Sequence, residues 1–236
     1  DVKTGSGAVM QDRDAAQALA QALVSTANGA GCSTSAIITD MSQPLLPSIG
    51  NALEIADVMR AFDSGQGPMV EVAIELGAQL LVQGHVFYTE KGARDGLVKC
   101  LSDGTAKNKF GMMVAAQGGP KNFTERWEDY LNIAPAYEIL APSDGYVQAM
   151  DGTALGRIVV ALGGGRQRED DQIDHSVGLS EITPLGAKLR RGQPMVLVHC
   201  HDTEHADSAM LSVQAAISLG GTEPAPKPLI LERIIR

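Results

Sequence analysis

The chain has 236 residues, a formal net charge of −9 at pH 7 and a hydrophobic fraction of 44%. This length suits one large domain or two small ones. The acidic balance argues against non-specific nucleic-acid binding, which depends on a basic surface. No apolar run approaches the roughly 20 residues that span a bilayer. The three cysteines are far apart in the sequence, which favours reduced thiols in a cytoplasmic protein over a disulfide framework.

The first half of the chain alternates strand and helix signals. Asp1-Val2-Lys3 is typical of a strand end, Thr4–Ala8 of a glycine-rich tight turn, and Asp14–Ala27 of an amphipathic helix. A buried strand and four further helices are predicted at Ser35–Thr39, Asn51–Phe62, Met69–Val82, Lys91–Leu101 and Ala106–Gln117. This order predicts an α/β domain with a site at the carboxyl ends of its strands. Because the first strand begins at residue 1, we expect the chain to be part of a larger protein.

The second half changes character near residue 137. Short β-rich runs follow one another, separated by Gly, Pro and Asp: YEILA, DGYVQAM, GRIVVAL, HSVGLS and PMVLVHC. A helix over Asp202–Leu219 and a strand over Pro228–Ile235 close the chain. We therefore predict an α/β class, with a mixed sheet flanked by helices in residues 1–136. Residues 137–236 form a barrel-sandwich-like, β-rich C-terminal subdomain with a closing helix and strand.

The turn at Thr4–Ala8 is the first candidate site. Its backbone N–H groups could cradle a phosphate. However, no Gly-Lys-Ser/Thr follows at the spacing of a phosphate-binding loop, and the glycines do not match a dinucleotide fingerprint. Spacing alone therefore favours a tight turn whose glycines let strand and helix approach.

Two other stretches carry weaker signals. His199, His201 and His205 suggest a metal site, but no Cys-x-x-Cys partner accompanies them, so a metal is not favoured. Gly163–Arg166 could hold an anion, although the acidic run Glu169–Asp171 that follows favours a hairpin with a flexible, solvated tip.

The β-rich region resembles a biotinyl- or lipoyl-type sandwich in two places, Ala141–Gly145 and Pro184–Pro194. Carrier domains of that kind display a modified lysine in a hairpin between the two halves. The corresponding stretch Gln148–Asp151 contains no lysine. We expect a shared architecture without swinging-arm chemistry.

Six stretches together resemble the thymidine and pyrimidine-nucleoside phosphorylase family, in the family's order along nearly the whole chain. They are Asp1–Met10 (DVKTGSGAVM), Thr39–Leu45 (TDMSQPL), Gly50–Glu54 (GNALE), Val114–Gly118 (VAAQG), Gly163–Arg166 (GGGR) and Ile173–Gly178 (IDHSVG). The first three are the most specific. The resemblance implies that the chain is the C-terminal α/β portion of such an enzyme.

Members of this family are homodimeric pentosyltransferases of nucleoside salvage. They use phosphate as co-substrate to cleave a pyrimidine nucleoside into the free base and a sugar 1-phosphate. The resemblance implies that the phosphate-binding loop, and the Arg, Ser and Lys that hold the pyrimidine, lie upstream of Asp1. We therefore assign no catalytic residue within this chain and expect the chain alone to be inactive.

The resemblance carries a few roles onto residues that are present. It places Val9 against the pyrimidine base. It also implies a potassium-like cation held by the carbonyls of Leu45 and Ser48 and the carboxylate of Asp57, an oxygen set suited to a hard ion. Relatives often have Ala at the position of Ser48 and Glu at that of Asp57, and the shorter Asp57 could instead be a plain helix residue. Lys3 is expected to pair with a carboxylate and has no catalytic role.

The leading functional prediction is thus a portion of a thymidine or pyrimidine-nucleoside phosphorylase. Its partners are the nucleoside, phosphate and a second copy of the intact protein, with no nucleic acid or membrane and no cofactor required. The alternative is a non-catalytic binding module of the biotinyl-like or degenerate phosphorylase kind. A phosphoribosyltransferase relative would need to recognise a pyrophosphate group, for which no motif is present.

Overall fold

The first half of the chain runs strand, helix, strand and then helices only, in the order that the sequence predicts apart from the short last helix. The structure is a computed structural model that describes residues 1–235. This half comprises β1 (Val2–Thr4), α1 (Arg13–Gly29), β2 (Ala36–Asp40), α2 (Asn51–Ser64), α3 (Pro68–Gln83), α4 (Glu90–Ser102), α5 (Thr105–Ala116) and the short α6 (Trp127–Tyr130). Within the described residues, no helix is both long and apolar enough to cross a bilayer.

The second half contains most of the strands. They are β3 (Ala136–Leu140), β4 (Gly145–Met150), β5 (Gly178–Ser180), β6 (Lys188–Leu189), β7 (Pro194–His199), β8 (Ile217–Gly220) and β9 (Ile230–Ile234). Two helices accompany them, α7 (Gly152–Val159) and α8 (Thr203–Ala216).

A three-stranded mixed sheet in the order β1-β2-β9 forms the base of the α/β part. β1 pairs parallel with β2, and β9 returns antiparallel on the other side of β2. Helix α1 is capped by Asp12, whose carboxylate accepts from the amide of Ala15 at 2.9 Å. Its small, buried face at Ala16, Ala20 and Val24 packs onto the sheet. The expected mixed sheet with flanking helices is confirmed.

Two antiparallel sheets build the β-rich part, in the orders β3-β7-β5 and β6-β4-β8. They share one apolar core with α7 and α8, in which Val147, Met195 and Val213 are fully buried. Alternation along β7 places Met195, Leu197 and His199 on one face and Val196 and Val198 on the other, so only the second face is wholly apolar. The sandwich-like character predicted for this region is confirmed.

Two predictions within residues 150–166 are wrong. GRIVVAL is helical, because Asp151 caps α7 at the amide of Ala154 (2.9 Å) and the turn spacing buries Leu155, Ile158 and Val159 on one face. β-branched residues suggested a strand, but the capped helical pattern prevails. The glycines at Gly163–Gly165 end a π turn over Val160–Gly164, with Gly163 at φ +99°, and do not form a hairpin tip.

The closing helix is also shorter than predicted. It ends at Ala216, and Ile217–Gly220 becomes β8 because these residues pair with β4, with Leu219 opposite Val147. Local sequence favoured continuing the helix. Pairing with a strand some 70 positions away decides otherwise, since the ladder satisfies backbone groups that a fraying helix end would leave free.

A buried carboxylate joins the α/β layers. Glu75 on α3 is 5% exposed, accepts a hydrogen bond from Arg233 Nε of β9 at 2.5 Å and pairs with Arg94 of α4. Two cations thus compensate one buried charge and hold three elements together.

Glu75→Gln keeps the side-chain shape but removes the charge that the two arginines share. We expect a loss of about 2 kcal/mol in the free energy of unfolding, below the full cost of breaking a buried pair because both arginines can reach water. Urea denaturation would measure it. Glu71→Gln, on the exposed face of the same helix, is the matched control and should change stability little. Equal losses in both variants would show that the charge of Glu75 does not hold the three elements together.

Candidate functional site

A cavity lies where the carboxyl ends of β1 and β2 meet the β-rich part. Its volume is about 970 Å³. One wall comes from the segments that follow the two strands and another from β4 and the loop before β6. The lining residues include Ser6, Asp40, Ser42, Gln43, Leu45, Gln148 and Leu185. α/β folds commonly bind their ligands at the carboxyl ends of the strands.

The glycine turn after β1 is pressed against the loop after β2. Gly5 has φ +107°, and a Cβ there would lie 2.7 Å from the backbone nitrogen of Ser42, so both its conformation and the close approach require glycine. The amide of Gly7 donates to the carbonyl of Met41 at 3.0 Å. The turn's N–H groups are thus partly engaged by protein. This supports the interpretation of a tight turn over that of a phosphate cradle.

The charges around the cavity do not favour an anion. Among the described residues, three carboxylates line it, from Asp40, Glu71 and Glu223, against one ammonium, that of Lys227. Asp40 is held by Ser42, whose amide and hydroxyl donate to it at 3.3 and 2.8 Å. The cavity is therefore better suited to a neutral molecule with hydrogen-bonding groups than to free phosphate.

Amide and hydroxyl side chains give the cavity its polar edge. Gln43 accepts from the amide of Leu185 at 2.9 Å, which ties the loop after β2 to the β-rich part. Gln148 Nε2 donates to the carbonyl of Thr222 at 2.5 Å. Sequence reasoning did not single out these glutamines, because their contribution depends on loops that meet only in the fold.

Lys3 lies on β1 and Val9 just beyond the glycine turn that follows it, and neither residue lines the cavity. The Val9 side chain is fully exposed and does not line the cavity, so within the described residues nothing covers it. Its contact with a base stays a prediction. Lys3 pairs with Asp1 at 2.7 Å, as expected of a strand-end lysine, and partial burial lowers the pKa of its ammonium.

The three predicted cation ligands lie on one loop–helix unit. Leu45 lines the cavity, while Ser48 is buried behind it and donates its hydroxyl to Asp57 Oδ2 at 2.6 Å. Asp57 Oδ1 accepts from Arg60 at 2.7 Å. Because Arg60 already balances the charge of Asp57, this set fits a cation poorly. The cation that the resemblance implies stays a prediction, which the pairing of Asp57 with Arg60 does not support.

Because Arg60 already pairs with Asp57, we expect no potassium ion to bind at the predicted cation site. Thermal unfolding should have the same midpoint, within about 1 °C, in KCl and in tetramethylammonium chloride, since a ligand raises the midpoint only by binding the folded state. Arg60→Met should make the midpoint potassium-dependent by freeing the carboxylate.

The matched control is Arg126→Met, which removes an exposed pair of the same i,i+3 spacing with Asp129. It should leave both midpoints equal. A saturable, potassium-specific rise in the unsubstituted protein that disappears in Asp57→Asn would show that the cation displaces Arg60.

The histidines do not assemble a metal centre. His201 Nε2 is hydrogen-bonded to Asp174 Oδ2 at 2.7 Å, and His205 Nδ1 to Asp202 Oδ1 at 2.7 Å. No group of three potential metal ligands occurs within residues 1–235. The hydroxyl of Ser176, more than the histidine, holds the pKa of Asp174 at about 2. The IDHSVG stretch instead docks on α2, where the carbonyl of His175 accepts from Ala52 at 3.1 Å.

A third histidine pair lies deeper in the β-rich part. His199 Nε2 lies 2.7 Å from Ser180 Oγ, and its Nδ1 lies 2.9 Å from the carbonyl of Ala134. A neutral ring protonated at Nδ1 would satisfy both contacts. Since His199 is buried and outside the cavity, this pair is structural.

Comparison with known proteins identifies relatives of the whole chain. Residues 146–220 match the family model described as the pyrimidine nucleoside phosphorylase C-terminal domain. The chain is 40% identical over 238 residues to a thymidine phosphorylase of Sinorhizobium fredii (strain NBRC 101917 / NGR234), covering 99% of this chain and 54% of the relative. It is 41% identical over 243 residues to a thymidine phosphorylase of Sinorhizobium medicae (strain WSM419), covering 100% of this chain and 54% of the relative.

These matches confirm the resemblance seen in the sequence motifs. The chain spans about half the length of the curated relatives that it matches. The similarity covers both the α/β part and the β-rich part, so it also includes the segments that enclose the cavity.

Proposed function

With its resemblance to the C-terminal portion of the thymidine and pyrimidine-nucleoside phosphorylases confirmed, we propose that this chain is part of such an enzyme. The intact protein would cleave thymidine or a related pyrimidine nucleoside with phosphate, giving the base and a sugar 1-phosphate. The observation that carries the proposal is identity of about 40% to thymidine phosphorylases along the entire chain.

In this proposal the chain supplies walls for the nucleoside. The cavity offers neutral donors and acceptors at Ser42, Gln43 and Gln148 and an apolar surface at Leu45. The exposed Val9, just beyond the glycine turn, would add an apolar contact to the base. Such groups orient a neutral nucleoside, and orientation is a major part of the rate acceleration when two substrates must meet.

The proposed reaction needs no covalent enzyme intermediate. A phosphate oxygen forms a bond to the anomeric carbon while the bond from that carbon to the base nitrogen breaks. The bonding electrons leave with the base, which takes up a proton. Residues outside this chain hold the phosphate in this scheme, which agrees with the excess of carboxylates around the cavity. We further propose a homodimer working in the cytoplasm in nucleoside salvage, with no cofactor.

The activity can be tested on the full-length protein that contains this chain. Incubation with thymidine and phosphate should release thymine and deoxyribose 1-phosphate, detected by chromatography, and omission of phosphate should stop the release. Uridine in parallel would establish the base preference. No phosphate-dependent release from either nucleoside would contradict the proposal and favour a binding module.

The role of Val9 has its own test in the same assay. Val9→Asp should raise KM for the nucleoside about tenfold by placing a charge against the base, with KM for phosphate unchanged. Val86→Asp alters another exposed valine, 64% accessible, and is the matched control. An unchanged nucleoside KM in Val9→Asp would remove Val9 from the base site.

The chain by itself should neither catalyse the reaction nor bind phosphate. Three carboxylates against one ammonium repel the anion, so calorimetry with inorganic phosphate should give no binding with a Kd of about 1 mM or tighter. Sulfate at equal ionic strength controls for general salt effects. Saturable phosphate binding would show that the phosphate site lies within this chain.

A further inference from the structure

The glycine turn after β1 is held on two sides. One side is the loop after β2, and the other is the β-rich part, nearly 150 positions away. Ser6 makes the second connection: its Oγ donates to the carbonyl of Met150 at 2.6 Å and accepts from the amide of Gly152 at 3.3 Å. Both polar functions of one small side chain are therefore directed at the other half of the chain.

The backbone of Ser6 takes part as well. Its carbonyl accepts from the hydroxyl of Thr153 at 2.9 Å, from the amide of Thr153 at 3.3 Å and from Nε2 of Gln11 at 3.3 Å. One turn residue thus makes four hydrogen bonds to residues 150–153.

The approach of the two segments is too close for a side chain. A Cβ on Gly152 would lie 2.6 Å from Cα and 2.9 Å from N of Gly7. Backbone is in contact with backbone at this point, so the turn cannot shift toward α7 and cannot move away without breaking the bonds of Ser6.

The partner segment is itself rigid. Met150 is 4% exposed and ends β4, whose pairing with β8 continues to Ile217. The amide of Asp151 donates to the carbonyl of Ala216 at 2.8 Å, and its carboxylate caps α7. A turn attached to this segment takes its position from the core of the β-rich part.

We propose that the contact of Ser6 with Met150, Gly152 and Thr153, named here the Ser6 latch, positions the substrate-facing turn. Through it the β-rich part sets how tightly the nucleoside is held. Ser6 lines the cavity wall and Val9 follows three residues later, so a displaced latch moves both. The inference rests on the proposed phosphorylase function. Ser6 and Thr153 are positioning residues, since they act by fixing the turn.

The sharpest test uses a matched pair at Thr153 in the full-length protein. Thr153→Val keeps the shape but removes the hydroxyl that donates to Ser6, whereas Thr153→Ser keeps the hydroxyl. We expect Thr153→Val and Ser6→Ala to raise KM for the nucleoside about fivefold to tenfold, as small displacements of positioning groups do. KM for phosphate should stay within about twofold, and Thr153→Ser should retain values close to those of the unsubstituted protein.

Hydrogen exchange gives a readout that does not depend on activity. The amides of Gly7 and Ala8 donate to Met41 and Gly5; they should exchange faster in Thr153→Val and Ser6→Ala, but not in Thr153→Ser. Amides of β7 should keep their protection. Ser64→Ala, which removes a hydroxyl bonded only within its own helix end, should change neither readout.

The outcomes separate the two proposals. Unchanged turn exchange, an unchanged nucleoside KM, or faster exchange throughout the chain with a lowered unfolding temperature would each overturn the latch. If the unsubstituted full-length protein shows no phosphorolysis, the proposed function fails. The latch is then decided by the exchange of Gly7 and Ala8 alone.

Discussion

The parallel pairing of β1 with β2 is the constraint on which the rest of the site depends. It places Thr4 opposite Asp40, so the segments that leave the two strands emerge side by side. Gly5 can then lie against the backbone of Ser42, and the cavity opens at this edge. Without this pairing the glycine turn would not contact the loop after β2. The buried Glu75 with its two arginines supports the same sheet from the side of β9.

The β-rich part contributes more than an appended module would. It closes the cavity through Gln148 and Leu185 and fixes the turn through Met150 and Thr153. Hydrogen bonds of this kind add little net stability each, but a buried partner left unsatisfied is costly. The two halves are thus bound in one relative arrangement. Such an arrangement suits a surface that must orient a neutral substrate while the groups that bind the anion come from elsewhere.

The elements with strong local signals agree with their sequence predictions. The helix after Asp12 has an N-cap and apolar periodicity, and Ala36–Asp40 is a short apolar run typical of a buried strand. Neither segment carries a competing local signal. The stretch around Leu155 was predicted wrongly, since β-branched residues and a helical spacing compete there. Ile217–Gly220 was missed because its state depends on pairing with β4. Of the predicted site residues, Ser48 and Asp57 are brought together, but with Arg60 as an unforeseen partner.

The amino-acid sequence by itself determined the α/β character, the order of most elements, the glycine-rich turn after β1 and the resemblance to the nucleoside phosphorylases. These follow from local propensity, periodicity and contiguous motifs. Only the tertiary structure decided that Ser6 bonds to residues 150–153, that three carboxylates share the cavity and that Asp57 is already balanced. The physical reason is that hydrogen bonds and charges act over a few ångströms, and residues that distant in sequence become neighbours only once the two halves have packed.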